Sequence, residues 1–327
     1  MNFEFSYYFK FRASNFGFYA MQSQLSKNIL QTIVYYDILN FPLTSFEVRK
    51  YLIAENTCSL GEIVEALESN EIKKHVEEFQ GFYFLKGRKD LVEWRIQNDK
   101  NSIAKFKIAE KTVWWLRFVP FVRMIAATGT LAMKNCEKDS DIDFFVVLKK
   151  ERIFTGRLLV TAMTHVLGRR RHGKRIRNRA CLNYFTATGN LEISRKDLFA
   201  ASEYSFVFPL FGFGTFKKFS EKNISWIKKY KPNFKYGDLK PAKYFVEVKP
   251  LQQGVQRFFE GLINSLGGDR IETWLKKKQI ARIERNPLTY KEGAYIEATD
   301  ENLIFLPEPQ GGRIEEEWQR KTKLLTR

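Results

Sequence analysis

Three histidines and three cysteines in 327 residues leave little from which to build a histidine triad, a zinc site or a disulfide framework. The cysteines, Cys58, Cys136 and Cys181, stand far apart with no Cys-x-x-Cys, which fits a reducing compartment; a cytoplasmic protein is expected. Long apolar runs are missing too. The longest candidate, Val113 to Ala127, is broken by Arg117, Pro120 and Arg123, so no membrane span is expected. Acidic residues are in deficit: 37 Asp and Glu face 55 Lys and Arg, a formal charge of +18 that favours nucleotides and other polyanions, including nucleic acid through basic segments. There is no internal repeat. At 44% hydrophobic the chain is nevertheless long enough for two or three domains with proper cores.

What is present centres on Met124 to Leu148, MIAATGTLAMKNCEKDSDIDFFVVL. Met124 to Ala127 is a short apolar strand that breaks at Thr128-Gly129-Thr130, where a missing side chain lets backbone N–H groups approach an anion. A helix beginning at Leu131 would aim its first N–H groups at the same spot. Asp141-Ile142-Asp143 then leads into Phe144 to Leu148, an apolar run suited to a strand buried on both faces. Alternation puts Asp141 and Asp143 on one side of that strand. Two adjacent carboxylates beside a core call for a divalent cation, and Mg²⁺ (or Mn²⁺), which pairs one or two carboxylates with substrate phosphate, is the expected metal.

This stretch resembles the signature of the DNA polymerase β-like nucleotidyltransferase superfamily: a Gly-Ser pair followed about a dozen residues later by Asp-x-Asp on a strand. Gly129-Thr130 takes the place of the pair, with the hydroxyl kept, and Asp141 and Asp143 are the carboxylates. The resemblance covers about 25 residues. It implies that Gly129 and Thr130 hold the phosphates of ATP or another NTP and that Asp141 and Asp143 bind Mg²⁺. It also implies an α/β (α+β) core, a mixed sheet with flanking helices. Superfamily enzymes usually add a third carboxylate on a later strand. Here that strand is Ala180 to Phe185 and its central polar residue is Asn183, a metal ligand through its carbonyl but not a base. Glu192 is the nearest alternative base.

The remaining chain divides into an aromatic extension (1–20), a winged-helix-like module (21–98), the nucleotidyltransferase core (99–200) and a helical C-terminal region (201–327). In the module, Ile29, Ile33, Val34 and Ile38 recur at helical spacing; Thr44 with Glu47 forms a capping box; and a third helix, capped by Ser59, turns Ile63, Val64 and Leu67 inward. A strand at Gly81 to Leu85 and a basic turn at Lys86 to Arg88 complete the resemblance to a winged helix. Glu62, Glu65, Glu68 and Glu71 on or beside the third helix have the wrong sign for phosphate, favouring docking over DNA binding.

Asn98 to Phe118 reads as a helix with Lys100, Lys105, Lys107 and Lys111 in solvent and Trp114, Trp115 and Phe118 packed against the next domain. A helix from Arg152 to Leu167 is expected to cover the sheet with Phe154, Leu158, Ala162 and His165. Gly168 to Arg179 carries seven Arg or Lys in twelve residues, either a solvated loop or a holder of triphosphate or nucleic-acid backbone. Ala201 to Phe219 reads as buried aromatic contacts. Helices through Phe258, Leu262 and Leu266 and from Arg270 to Ile283 flank a break at Gly267-Gly268, and a strand is expected near Leu303 to Leu306 before a polar helix. Two functions fit this pattern: a Mg²⁺-dependent nucleotidyltransferase with an unidentified acceptor hydroxyl, or a non-catalytic nucleotide sensor or DNA-binding protein on a degenerate fold of that kind.

Overall fold

The computed structural model describes residues 23–173, 175–237 and 243–325, so the aromatic extension lies outside the described residues. The chain is mixed α/β and forms two compact units. One comprises the residues up to Arg95 with Ile227–Lys235 and the stretch from Gly312; the other comprises Ile96–Trp226 and Tyr236–Gly311.

The first unit begins with helix α1 (residues 23–38), which buries Ile29, Ile33 and Val34. Strand β1 (Leu43–Thr44) runs directly into α2 (Ser45–Lys50), and Thr44 and Glu47 make the expected capping box. Helix α3 (Leu60–Leu67) is capped reciprocally by Ser59 and Glu62. Its inward face is Ile63, Ala66 and Leu67; Val64, expected inside, is exposed, because burial at positions 63, 66 and 67 leaves position 64 on the outer side of the turn. After α4 (Asn70–Lys73) come β2 (Val76–Phe79) and β3 (Phe82–Leu85), giving an antiparallel sheet of order β1-β3-β2. The hairpin turn is Gln80-Gly81, both at positive φ as a tight two-residue turn requires. The basic Lys86 to Arg88 segment follows β3 as the expected tight turn, with Gly87 at φ +78° and Arg88 N–H donating to Leu85 O at 3.2 Å.

The second unit is built on α5 (Asp90–Leu116), β4 (Val122–Ala127), α6 (Gly129–Ala132), β5 (Ile142–Leu148), α7 (Ile153–Val166), β6 (Ala180–Ala187), α8 (Leu198–Phe206), β7 (Phe208–Phe211) and α9 (Phe213–Tyr230), of which α5 begins and α9 ends in the first unit. It closes with α10 (Pro250–Ser265), α11 (Gly268–Glu284), β8 (Tyr295–Ala298) and β9 (Asn302–Leu306). Helix α12 (Gly311–Leu325) belongs almost wholly to the first unit. The sheet order is β7-β4-β5-β6-β9-β8, and β5–β6 is its parallel pair, with α7 as the crossover. Pro209 sits in the edge strand β7, where its missing N–H costs least. Among the described residues no helix is long and apolar enough to cross a membrane.

Several side chains sit on the other side of their helix from the one expected. On α7 Phe154 is buried as expected, with Ile153, Thr155, Gly156, Val160 and Thr164, whereas Leu158, Ala162 and His165 face solvent. Gly156 sets that rotation: a Cβ there would lie 2.8 Å from Leu148 Cδ2, so the helix rests its backbone on β5. On α5, Lys105 is buried rather than solvent-facing, while Trp114 and Trp115 are exposed and meet edge to face. Helix α10 buries its polar stripe. Its Gln252, Gln256 and Glu260 are buried because the chain from Arg117 to Arg123 presents carbonyls and an N–H that need partners, and Leu251, Phe258, Leu262 and Leu266 face out.

Candidate active site

The site forms where three neighbouring strands, β4, β5 and β6, present one end. Strand β4 stops at Ala127, and Thr128 N–H donates to Asp143 O at 3.1 Å, tying the turn to the acidic strand. Gly129 has φ +59°, in the left-handed region. A Cβ there would lie 2.9 Å from Asp143 Oδ2, so the glycine makes room for that carboxylate. Thr128 caps α6 without a side-chain hydrogen bond, leaving the first-turn N–H groups without a side-chain cap. Thr130 Oγ1 lies 3.6 Å from Cys136 Sγ, so the hydroxyl is turned toward the buried cysteine.

Asp141 stands just before β5 and Asp143 within it, their carboxylates close together, and register places Cys181 of β6 directly opposite Asp143. The ligand atoms of Asp141, Asp143 and Cys181 lie within 4.8 Å of one another, and Asn183 Nδ2 reaches Asp143 Oδ1 at 3.5 Å. A register shift in the β5–β6 ladder beyond Asp143 lets both Cys181 and Asn183 approach the same carboxylate. Cys181 thus joins the expected Asn183 at the site, and the spacing of two that puts both on one face of the strand is the signal in the sequence for it.

Electrostatics make the acidic pair costly. Burial first, and the charge of Asp141 second, push the Asp143 carboxyl up to about 6, although the residue as a whole is partly exposed. The Cys181 thiol is pushed well up by burial and then by both aspartates, so it is a neutral thiol. Arg171, from the basic run, donates to Asp141 Oδ2 at 2.5 Å and lies 3.5 Å from Cys181 Sγ. That run is therefore more than a solvated loop: its start pairs with β6 through Arg171 N–H to Ala180 O, which folds Arg171 onto the aspartate.

The approach to Asp141 is held by a lysine that sequence reading placed in solvent. Lys105 Nζ donates to Ser140 O (2.7 Å), Lys138 O (3.1 Å) and Asn178 Oδ1 (2.9 Å), joining the acidic loop to the end of the basic run. Glu192 is not brought to the site. It lies past the far end of β6 in an exposed ion pair with Lys196. A different carboxylate feels Asp143: burial, then Asp143, then Asp197 push Glu203 of α8 up to about 7. Its neighbour Tyr204 packs against Phe145 and Tyr184, which puts α8 over this end of β5 and β6.

The donor set fits a hard divalent cation. Two carboxylates and an amide suit Mg²⁺, and oxygen outnumbers the one sulfur, Cys181 Sγ, in the group. Comparison of the chain with protein-family models, with curated proteins and with solved structures finds no match in any of the three.

Proposed function

We propose that the chain is a Mg²⁺-dependent nucleotidyltransferase that moves a nucleotidyl group from ATP or another NTP to an acceptor hydroxyl. The observation that carries this reading is Asp143 of β5 packed into the notch left by Gly129, with Asp141 beside it at the entry to the strand, between a turn whose first N–H groups lack a side-chain cap and a parallel neighbouring strand. That is the arrangement the Gly-Thr and Asp-x-Asp spacing calls for. Asp141, Asp143 and, through its carbonyl after an amide flip, Asn183 would hold the metal, which supplies charge neutralisation for phosphates and acceptor oxygen.

The protein's own groups do the rest. Gly129 and Thr130 would receive phosphate oxygens on their backbone N–H groups, fixing the chain of phosphates, while the Thr128 N–H stays on Asp143 O. Arg171 would exchange Asp141 for phosphate when nucleotide enters, since one guanidinium serves either oxyanion. Glu203, on the helix that lies over this end of β5 and β6 and close enough to Asp143 to feel its charge, would be the carboxylate to take the acceptor proton. For the first unit we propose a winged-helix-like docking role: its strand order β1-β3-β2 suits that fold, and the exposed face of α3 carries Glu62 and Glu65 with no basic residue.

One observation favours a second reading, a nucleotide sensor. The places beside Asp143 on β6 hold Cys181 and Asn183, neither of them a carboxylate. Labelled NTPs incubated with Mg²⁺ and a panel of hydroxyl-bearing acceptors separate the two. Acceptor-dependent pyrophosphate release is expected of the enzyme; nucleotide binding with no release under any acceptor would support the sensor.

A further inference from the structure

A cavity of about 490 Å³ opens beside the acidic pair, lined by Arg171, Cys181 and Asn183, which touch that pair, and by Arg157, Arg170 and Phe305. A second recess of about 280 Å³ shares Arg157, Arg170 and Phe305 with it and adds Arg282 and Gln279. Three guanidinium groups thus gather round one space. Arg157 Nη1 donates to Gln279 Oε1 at 2.6 Å, and its guanidinium lies over the Phe305 ring at 4.4 Å, so it is fixed in place by an amide and an aromatic face. Burial first, then the charges of Arg170 and Arg282, bring the Arg157 pKa down to about 10. Among the described residues no carboxylate forms an ion pair with Arg157, Arg170 or Arg282. By contrast, Arg171, Arg177 and Arg152 each have an acidic partner. Like charges brought together without a counterion, one of them desolvated, are the condition that a bound anion relieves. Ile283, Leu288, Ile296 and Pro307 give the larger cavity an apolar side, with Asn286 and Thr289 among them, so the space also suits a hydrophobic or ring-bearing body.

We propose that Arg157, Arg170 and Arg282 form an oxyanion site that holds a phosphate-bearing ligand with an apolar frame beside Asp141 and Asp143. Arg157 is its fixed floor, and Arg170 and Arg282 close over the anion from the loop after α7 and from α11. Only one clause rests on the nucleotidyltransferase reading: the phosphate then belongs either to the acceptor or to the NTP. The site itself needs no metal.

The test is calorimetry of the full chain with phenyl phosphate and with inorganic pyrophosphate, in chelator to remove divalent cations. Wild type should bind, with affinity that falls as salt rises. Arg170→Gln and Arg282→Gln should each weaken binding by about 10- to 100-fold, and Arg157→Lys by less than Arg157→Gln. Arg282 is exposed, so its variant folds whatever happens at Arg157. Asp141→Asn with Asp143→Asn should retain metal-free binding, so failure of the nucleotidyltransferase reading would leave this result standing. Repeating the titration with saturating Mg²⁺ and a non-hydrolysable ATP analogue assigns the source: simultaneous binding marks an acceptor phosphate, and displacement marks the nucleotide's own. Absence of binding by wild type at millimolar ligand, or wild-type affinity in both Arg170→Gln and Arg282→Gln, overturns the proposal.

Discussion

Replacing Lys105 by Met keeps most of the side-chain volume and removes three hydrogen bonds from a residue that is 2% exposed. The three acceptors do not suffer equally. Ser140 O also accepts from Asn178 N–H at 3.1 Å and stays satisfied, whereas Lys138 O and Asn178 Oδ1 lose the donor recorded for them. Each stranded acceptor costs about 1–3 kcal/mol, and part of that is offset because an ammonium no longer has to be buried. Burial is indeed the largest influence on Lys105, holding its pKa below the usual lysine value. A net loss of about 2–4 kcal/mol follows, roughly 5–12 °C in Tm for a unit of about 200 residues. Thermal melting followed by near-ultraviolet circular dichroism reads it. The same change unties the loop before Asp141, so Mg²⁺-dependent nucleotide affinity should fall about tenfold, the equivalent of one lost charge-assisted bond. A Tm within about 1 °C of wild type would refute the reasoning, because it would mean that relief from burying the ammonium cancels the whole cost of the lost hydrogen bonds.

Glu260 accepts from Phe121 N–H at 2.7 Å and pairs with Arg123 through both oxygens, so Glu260→Ala should cost about 2–4 kcal/mol in urea unfolding. Burial pushes the Glu260 carboxyl up, but the Arg123 and Phe121 bonds outweigh it and hold the pKa below the usual value. Its contribution is therefore full above the unfolded pKa and lost as pH falls through the folded one, so the gap between wild type and variant should shrink below about pH 4; a gap constant from pH 7 to pH 3 would contradict the pairing. Gly129→Ala places a Cβ 2.9 Å from Asp143 Oδ2 at φ +59°; about 1–2 kcal/mol of stability and most metal-dependent nucleotide binding should go, and unchanged binding by calorimetry would remove the notch from the account. Asn183→Asp adds a carboxylate beside Asp143, and a Mn²⁺ titration should show tighter metal binding; no change would take position 183 out of the site.

Features set by neighbours in the chain were legible in the sequence. The capping boxes at Thr44 and Ser59, the acidic strand and the helix break at Gly267 each depend on a few adjacent residues with fixed geometric demands. Facing was harder to read where a polar stripe is the buried one. The periodicity of α10 shows two stripes but not that carbonyls of Arg117, Val119 and Val122 draw in Gln252 and Gln256, leaving Phe258 and Leu262 outside. Lys105 escaped for the same reason: its acceptors lie 33 to 73 residues away, so nothing local marks it as buried. At the site, Asp141, Asp143 and Gly129 come together as their spacing requires, while Arg171, Glu203 and Cys181 enter through register and crossover geometry that only the folded sheet fixes.

The most direct measurement is calorimetric titration of a non-hydrolysable ATP analogue into wild type and into Asp141→Asn with Asp143→Asn, each with and without Mg²⁺. Binding that requires the metal in wild type and is lost or strongly weakened in a double variant with an unchanged circular dichroism spectrum is the predicted result. Equal metal-dependent affinity in the folded double variant would contradict the assignment of the acidic strand as the nucleotide and metal site.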